Sequence, residues 1–328
     1  MMKKENEKEG GVIESQTSSA PLSIYYTDSG PLDSVQYTLR FLAKIGGGEE
    51  RLILMDTGST GIVVPCSAIA NYSTCEKVYP QLPAPHYSSS GAHYDGEWIY
   101  TSFELRDHQG NHIKIEKIPV FAVKEKIGED VSQVSMMGVG IHSKVYGETY
   151  NPFLNLPQML QRDYSQAYII TRSHVSFGFS EAVRESFNHF SFPLNCETAM
   201  ATTTLLPPKG GQFPAFKQTT PLLIDTGIAY MIVTPKKKAA QPSHDFVDAK
   251  TQHLIDGTQV KVTLTDNKKT PFHYTFTVSN KLEAVDPRYV RFAIPSTHGF
   301  INTGRHILTE YDYLVDFEQY LIGLKPVA

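Results

Sequence analysis

Cysteine, tryptophan and long apolar runs are all scarce in this sequence. Its 328 residues include three cysteines and one tryptophan. So few cysteines exclude a scaffold built on disulfides and argue against a zinc site made of thiolates. No apolar run approaches the roughly 18 residues that a membrane helix needs. We therefore expect a chain that does not span a membrane and that holds no metal through cysteine.

An excess of positive charge is also missing. The formal net charge is -4 at pH 7, and the one lysine triplet, Lys236–Lys238, is typical of a solvated loop. These features exclude the usual electrostatic signature of a nucleic-acid-binding protein. Hydrophobic residues make up 41% of the sequence and charged residues 20%, which indicates a globular protein rather than a disordered or fibrous one.

The start of the chain lacks the apolar segment of a secretory signal. Residues 1–20 are polar with mixed charges, and we expect a disordered tail there. No signal peptide is predicted in the sequence as given. A processed secreted protein and an intracellular protein both remain open.

Two of the three cysteines, Cys66 and Cys75, lie close together in the sequence. They could close a short disulfide loop, or they could remain free thiols, which are often buried in protein cores. The sequence leaves both alternatives open, and this pair is our candidate disulfide.

Short runs rich in Val, Ile, Thr, Tyr and Phe alternate with clusters of turn residues from Tyr37 onward. This pattern is typical of strands joined by turns, and we expect a mostly β fold. The clearest predicted strands are Tyr37–Ile45, Arg51–Met55, Ile62–Val64, Trp98–Leu105, Ile113–Val123 and Val260–Thr265. Segments with helical periodicity are few, and the better candidates are Pro157–Gln166 and Glu181–Phe187.

One short motif occurs twice in matching surroundings. The segment Leu52–Gly58 reads Leu-Ile-Leu-Met-Asp-Thr-Gly, and the segment Leu222–Gly227 reads Leu-Leu-Ile-Asp-Thr-Gly. Each apolar run enters Asp-Thr-Gly and is followed by further apolar residues and a proline. The two copies are too far apart for the units of a repeat protein. They predict two related lobes, residues 21–185 and residues 186–328.

The repeated motif would bring two carboxylates together. An aspartate at the end of a buried strand lies near the core, and the following glycine lets the chain turn sharply. Two such turns facing each other would put Asp56 and Asp225 within hydrogen-bond reach. Carboxylates that close hold one proton between them, so they can supply both a general base and a general acid. The residues expected to support this pair are Thr57, Gly58, Ser59, Thr226 and Gly227.

On these residues the sequence resembles the pepsin family of aspartic peptidases. Asp56–Thr60 resembles the first catalytic motif of the family, and Ile224–Gly227 resembles the second. The similarity extends from about Tyr37 to Ala328. Other segments similar to family elements are Met136–Gly138, His174–Ser180, Gly304–Leu308, Tyr311–Asp316 and Ile322–Leu324.

The resemblance implies a bilobal pepsin-like acid protease fold with a catalytic cleft between the lobes. It implies an aspartic endopeptidase whose two aspartates activate water without a metal, a cofactor or a covalent intermediate. A peptide or protein substrate would lie extended in the cleft under a hairpin flap, and a pepstatin-type inhibitor would compete with it. The family also implies a secreted or periplasmic protein. We expect a monomer with neither nucleic acid nor membrane as a partner.

The second motif departs from the family pattern at two places. Ile228 stands where the family has a hydroxyl residue three positions after the aspartate. We therefore expect one hydrogen bond to Asp225 to be missing. Asn302 and Thr303 replace an apolar pair before Gly304, and these residues should bring polar groups behind the second turn.

The flap region departs from the family as well. The family pairs a flap tyrosine with a tryptophan, but the tryptophan position is Val63 here and the tyrosine position falls near Ser89. Because both partners are changed together, we expect a different flap. Its closure should depend on Tyr87, Tyr94 or Trp98.

Two other functions remain open from the sequence. A non-catalytic pepsin-like protein would bind a partner or peptide through the same cleft, and Ile228 favours this alternative. A glycosidase would also use two carboxylates, but it would hold them about 5–9.5 Å apart without a shared proton. The presence of both Asp-Thr-Gly motifs favours the peptidase.

Overall fold

The computed structural model describes residues 20–27, 38–87, 91–124, 130–141, 147–192, 198–237, 244–266, 269–279, 287 and 289–327. Over these ranges the chain is mostly β, as the alternation of apolar runs and turn residues predicts. The tail expected at residues 1–20 lies outside the described residues, except for Ala20.

The described residues form short strands and shorter helices. In chain order the first strands are β1 (Leu22–Tyr25), β2 (Arg40–Ile45), β3 (Arg51–Asp56), β4 (Thr60–Pro65), β5 (Glu76–Lys77), β6 (His86–Tyr87), β7 (Ala92–His93), β8 (Gly96–Arg106), β9 (His112–Val123), β10 (Met136–Val139) and β11 (Ala167–Ile170). They continue with β12 (His174–Phe177), β13 (Asn188–Ser191), β14 (Met200–Leu206), β15 (Phe216–Leu223), β16 (Met231–Thr234), β17 (Gln259–Thr265), β18 (Pro271–Thr277), β19 (Val290–Phe292), β20 (Phe300–Asn302), β21 (Tyr311–Asp316) and β22 (Leu321–Pro326). The α helices are α1 (Pro157–Leu160) and α2 (Glu181–Glu185), and 3-10 helices span Cys66–Ala68, Tyr72–Thr74, Glu148–Tyr150, Pro152–Asn155, His244–Phe246 and Arg305–Thr309.

The predicted strands all form, whereas the predicted helices are too long. The helix expected over Pro157–Gln166 ends at Leu160, and Arg162 then has a φ of 65°, which takes the backbone out of the helical region. The helix expected over Glu181–Phe187 ends at Glu185. Across the described ranges, no helix has the length and apolar character needed to cross a membrane.

The first seven-stranded sheet contains the first Asp-Thr-Gly motif. Its strand order is β2-β3-β10-β4-β9-β8-β5, and β2 pairs in addition with β8. The extra pairing closes the sheet into a barrel and leaves β5 outside the closed ring. Closure removes the exposed edges that an open sheet presents to other chains.

The second seven-stranded sheet repeats part of this arrangement around the second motif. Its order is β18-β17-β14-β15-β20-β16-β19. In the first sheet β10 runs parallel to β3 and antiparallel to β4, and in the second sheet β20 runs parallel to β15 and antiparallel to β16. Strands β9 and β19 then add in parallel to β4 and β16. The internal sequence repeat therefore corresponds to a repeat of strand topology.

A six-stranded sheet joins the two halves of the chain. Its order is β1-β12-β11-β21-β22-β13, so three strands precede residue 185 and three follow it. The halves meet where β11 pairs with β21, with Ile169 opposite Leu314. One cluster of buried apolar side chains includes members of all three sheets, such as Ile24, Ile53, Val262 and Tyr313. This shared core fixes the positions of the two motifs relative to each other.

Candidate active site

Both aspartates lie where an apolar strand ends. Asp56 is the last residue of β3, and Asp225 follows Leu223, the last residue of β15, by two positions. Each of the two aspartates is only 5% exposed. The neighbouring strand supports the first turn, with Gly138 of β10 opposite Asp56.

The two Asp-Thr-Gly turns bring their carboxyl groups into contact. The carboxyl groups of Asp56 and Asp225 lie close together, because one point beside Gly227 is within 3.0 Å of an oxygen of each. A β carbon added to Gly58 would come within 2.7 Å of the Asp225 carboxyl group, and one added to Gly227 would lie 2.8 Å from Asp56 Oδ1. Each turn therefore needs glycine because the carboxyl group of the opposite turn occupies the space of a side chain.

The threonines cross-link the turns beneath the carboxyl groups. Thr57 N donates to Thr226 Oγ1 at 3.0 Å, and Thr226 N donates to Thr57 Oγ1 at 3.0 Å. Each hydroxyl also donates to a backbone carbonyl that precedes the opposite motif. Thr57 Oγ1 donates to the Ile224 carbonyl at 2.5 Å, and Thr226 Oγ1 donates to the Met55 carbonyl at 2.8 Å. Both side chains are buried. The expected bonds across the base of the site are confirmed.

Backbone N–H groups hold one oxygen of each carboxyl group in the same way. Gly58 N donates to Asp56 Oδ1 at 2.7 Å, and Gly227 N donates to Asp225 Oδ1 at 2.8 Å. The expected contribution of Ser59 is also present, since its Oγ donates to Asp56 Oδ2 at 2.5 Å.

The second aspartate receives its side-chain hydrogen bond from a different place. Asn302 Nδ2 donates to Asp225 Oδ2 at 2.7 Å. The expectation that this carboxyl group lacks a donor because of Ile228 is therefore wrong. The amide cannot turn around freely, because Asn302 Oδ1 accepts from Gly304 N at 2.9 Å. With its oxygen engaged there, the side chain directs its NH2 group at Asp225.

Asn302 takes the place that Met136 holds in the first half. Met136 of β10 lies opposite Leu54 of β3, and Asn302 of β20 lies opposite Leu223 of β15. Leu54 and Leu223 each come two residues before an aspartate. The sequence signal for Asn302 was its polar side chain in an otherwise apolar position. Its contact with Asp225 could not be predicted, because it arises from the pairing of β20 with β15.

Burial raises the pKa of Asp56 well above its ordinary value, and the negative charge of Asp225 raises it further. The hydrogen bond between the carboxyl groups acts in the same direction, whereas the bonds from Ser59 and Gly58 offset part of the increase. Asp56 therefore keeps a proton at pH values where an exposed aspartate has lost it. The pair can act as a carboxylic acid beside a carboxylate.

A buried arginine lies behind the second turn. Arg305 is 8% exposed, and burial lowers the pKa of its guanidinium to about 10, although the charge of Asp225 acts to raise it. Arg305 N donates to the Ile228 carbonyl at 3.1 Å, and His306 Nε2 donates to the Ala229 carbonyl at 2.8 Å. This segment fixes the backbone that follows the second motif and adds a positive charge near Asp225.

A cavity of about 350 Å³ lies in front of the carboxyl groups. Its walls are mixed, with apolar side chains on the side of the second motif and the β6–β7 hairpin on the other. The hairpin contributes His86 and Tyr87 to the lining. The remaining lining residues are Asp56, Gly58, Ser59, Met136, Leu223, Asp225, Gly227, Ile228, Ile232, Thr234, Arg291, Ala293, Phe300 and Asn302.

The three candidate flap residues have different positions. Tyr87 lines the cavity, and Tyr94 packs against it edge-on with ring centroids 6.0 Å apart, without lining the cavity. Trp98 is fully buried, so its assignment to the flap is wrong. Its Nε1 donates to the Pro83 carbonyl at 3.3 Å, and its ring would lie 2.9 Å from a β carbon at Gly61. Ser89, near the expected flap position, lies outside the described residues.

The candidate disulfide does not form in the structure. Cys66 and Cys75 are both free thiols, and Cys75 Sγ instead donates to the Asn71 carbonyl and to Asn71 Oδ1, each at 3.3 Å. Cys196 lies outside the described residues.

No protein-family model and no curated protein sequence matches this chain. Among the residues that the structure describes, no group of three or more His, Cys, Asp or Glu side chains is placed to hold a metal ion.

Proposed function

We propose that the protein is a pepsin-like aspartic endopeptidase that hydrolyses peptide bonds with water activated by Asp56 and Asp225. One observation carries the proposal: two buried carboxyl groups on matched, cross-linked turns lie close together and line one cavity. The repeated strand topology around the two turns supports a bilobal pepsin-like fold with its cleft between the lobes.

The donors around each carboxyl group support different roles for the two aspartates. Both oxygens of Asp225 accept from groups that can only donate, Gly227 N–H and the NH2 group of Asn302. The hydroxyl of Ser59 can donate or accept, so it tolerates a proton on Asp56 Oδ2. Asp56 is therefore the proton-bearing acid and Asp225 the carboxylate that acts as general base.

Peptide hydrolysis then proceeds through balanced proton transfers. Asp225 takes a proton from the water as the water oxygen bonds to the carbonyl carbon, and Asp56 gives its proton to the carbonyl oxygen. The tetrahedral intermediate collapses when the carbon–nitrogen bond breaks. Asp225 passes its proton to the departing nitrogen, and Asp56 regains a proton from a hydroxyl of the intermediate, which restores the starting state.

The surroundings of the pair support an extended substrate. Peptides often bind to enzymes in an extended conformation with hydrogen bonds through their backbone. The β6–β7 hairpin brings Tyr87 to the cavity that contains the carboxyl groups, where it can cover a bound chain and exclude water.

The two alternative functions are less well supported. The charge of Asp225 raises the pKa of Asp56, which favours a pair that shares one proton over the separated carboxylates of a glycosidase. The non-catalytic alternative depended on Ile228 removing a donor from Asp225, and Asn302 supplies that donor.

The proposal is tested by incubating the purified protein with a random peptide library across a range of pH values. We expect cleavage products by mass spectrometry, and we expect a pepstatin-type inhibitor to suppress them. If the folded protein releases no product at any pH, the peptidase proposal is wrong.

A further inference from the structure

A row of four side chains runs across the second seven-stranded sheet into the cavity. Leu223 of β15 lies opposite Asn302 of β20, Asn302 lies opposite Ile232 of β16, and Ile232 lies opposite Arg291 of β19. Residues opposite each other in a sheet point to the same face. All four line the cavity that contains the carboxyl groups.

The sheet register gives the distance between the catalytic pair and Arg291. Neighbouring strands lie about 4.8 Å apart, so Arg291 lies two strands, or about 10 Å, from Asn302 along this row. Asn302 contacts Asp225 directly. An extended peptide advances about 3.3 Å per residue, so about three residues would cover the same span.

No carboxylate among the described residues pairs with the guanidinium of Arg291. Arg291 is exposed, and within the described ranges it forms neither an ion pair nor a side-chain hydrogen bond. Some other surface cations are paired, as Lys77 is with Glu97 at 2.6 Å. A guanidinium is always charged and presents donors suited to a carboxylate. Arg291 therefore brings an uncompensated positive charge to the cavity wall.

Apolar side chains surround this charge. Ile232, Ala293 and Phe300 line the same part of the cavity. Ile294, next to Ala293, is 89% exposed. A bound segment that matches this wall would have an acidic side chain next to apolar ones.

We propose that Arg291 binds a carboxylate side chain of the substrate, so that the protein prefers peptides with Glu or Asp within about three residues of the scissile bond. This inference rests on the proposed peptidase function and assigns it a substrate class. An ion pair at an exposed site is screened by salt, so the preference should weaken as the ionic strength rises.

The test uses matched pools of random decapeptides in which one position is fixed as Glu or as Gln. We expect the full-length protein to cleave the Glu pool about fivefold faster at one position near the scissile bond, as expected for an exposed ion pair. Arg291→Gln should bring the ratio of kcat/KM for the two pools close to one. Arg291→Glu should shift the preference to a Lys pool.

A charge-matched control is Lys217→Gln, which removes an exposed positive charge from β15. Lys217 lies six residues before Leu223, about 20 Å along the strand, and does not line the cavity. The Glu preference should survive in this variant. An equal rate on Glu and Gln pools, or a preference that Arg291→Gln retains, would overturn the inference while leaving the peptidase proposal intact.

A binding measurement separates the two proposals if no pool is cleaved. In that case the peptidase proposal fails, and the same pools are captured on the immobilised Asp56→Asn protein. Enrichment of Glu over Gln peptides that disappears in Asp56→Asn/Arg291→Gln supports the role of Arg291. Equal capture of the two pools overturns it.

Discussion

The two Asp-Thr-Gly turns lie in matching arrangements of strands, but they differ at two equivalent positions. One turn has a polar residue where the other has an apolar one, and the reverse holds at the second position. In the first turn the residue three positions after the aspartate is the polar Ser59, and the neighbouring strand contributes the apolar Met136. In the second turn the same two positions hold Ile228 and Asn302. Each carboxyl group thus accepts two hydrogen bonds, but the side-chain donor comes from the turn itself in the first half and from the neighbouring strand in the second.

This exchange teaches that equal numbers of hydrogen bonds do not make the carboxyl groups equivalent. A hydroxyl can reverse its direction, whereas an amide NH2 can only donate. The donor in the first turn therefore tolerates a proton on the carboxyl oxygen that it faces, whereas the donor to the second turn needs an oxygen that accepts. Four changes to the turns test this comparison, and they follow in order of decreasing expected effect.

Removing either carboxyl group should have the largest effect. Asp56→Asn and Asp225→Asn should each lower kcat on a cleaved peptide by at least about 10³-fold, because each aspartate performs one of two coupled proton transfers. Circular dichroism should show that both variants remain folded. Substantial activity in either folded variant would remove that aspartate from the mechanism.

Converting the second turn into a copy of the first should be the sharpest test of Asn302. Asn302→Met removes a hydrogen bond to a charged group, which is worth about 1.5–3 kcal/mol, so kcat should fall by about 10- to 150-fold. The double variant Asn302→Met/Ile228→Ser restores a hydroxyl at the position equivalent to Ser59. Part of the lost activity should return, with a changed pH–rate profile.

The single variant Ile228→Ser is the control for this conversion. It leaves Asn302 in place, so its activity should stay closer to that of the unmodified protein than the activity of Asn302→Met. If the double variant is no more active than Asn302→Met, then Asn302 acts through the packing of β20 and not as a donor to Asp225.

Breaking the connection between the turns should affect stability. Thr57→Val and Thr226→Val each leave buried hydrogen-bonding groups without a partner, which should lower the free energy of unfolding by about 1–3 kcal/mol. Urea denaturation measures the change. Thr219→Val is the matched control, because its hydroxyl bonds to Thr202 Oγ1 at an exposed site. A loss no greater than that of the control would contradict a structural role for the buried pair.

The smallest effect should be a pH-dependent stabilisation in Asp56→Asn. The raised pKa of Asp56 means that the folded state binds its proton more tightly than the unfolded chain does. This contribution to stability is complete below the ordinary aspartate pKa of about 3.9 and is lost as the pH rises through the higher folded value. Asparagine carries no such charge. The midpoint of thermal unfolding of Asp56→Asn should match that of the unmodified protein near pH 3 and exceed it near pH 7.

Local patterns in the sequence predicted part of the site. Asp56 and Asp225 could be assigned because each ends an apolar run and is followed by a glycine turn, so the signal lies within a few residues. Asn302 could not be assigned as a donor, because it lies 77 residues from Asp225 and reaches it only through the pairing of β20 with β15. Contacts made by sheet order are not visible in a local pattern.

The fold was also predictable only in its local elements. Strands such as β8 follow from their alternation of apolar and polar residues, but the sheet partner of each strand does not. The alternation also left open which face of β8 carries Trp98, and the structure buries that side chain completely. The helix predicted over Pro157–Gln166 was too long because a single residue, Arg162, leaves the helical conformation after α1.

The six-stranded sheet has a consequence for how the molecule is made. During translation, β11 leaves the ribosome long before β21, its neighbour in that sheet, has been synthesised. Until then the nascent chain exposes an unpaired strand edge, and loops that long close slowly. Asp225 likewise lacks its hydrogen bond from Asn302 until that residue, 77 positions later in the chain, has been synthesised. Under the proposed function, the enzyme therefore completes its catalytic pair only after Asn302 has been synthesised, so the segments before Asn302 are made in a form that cannot yet cleave peptides.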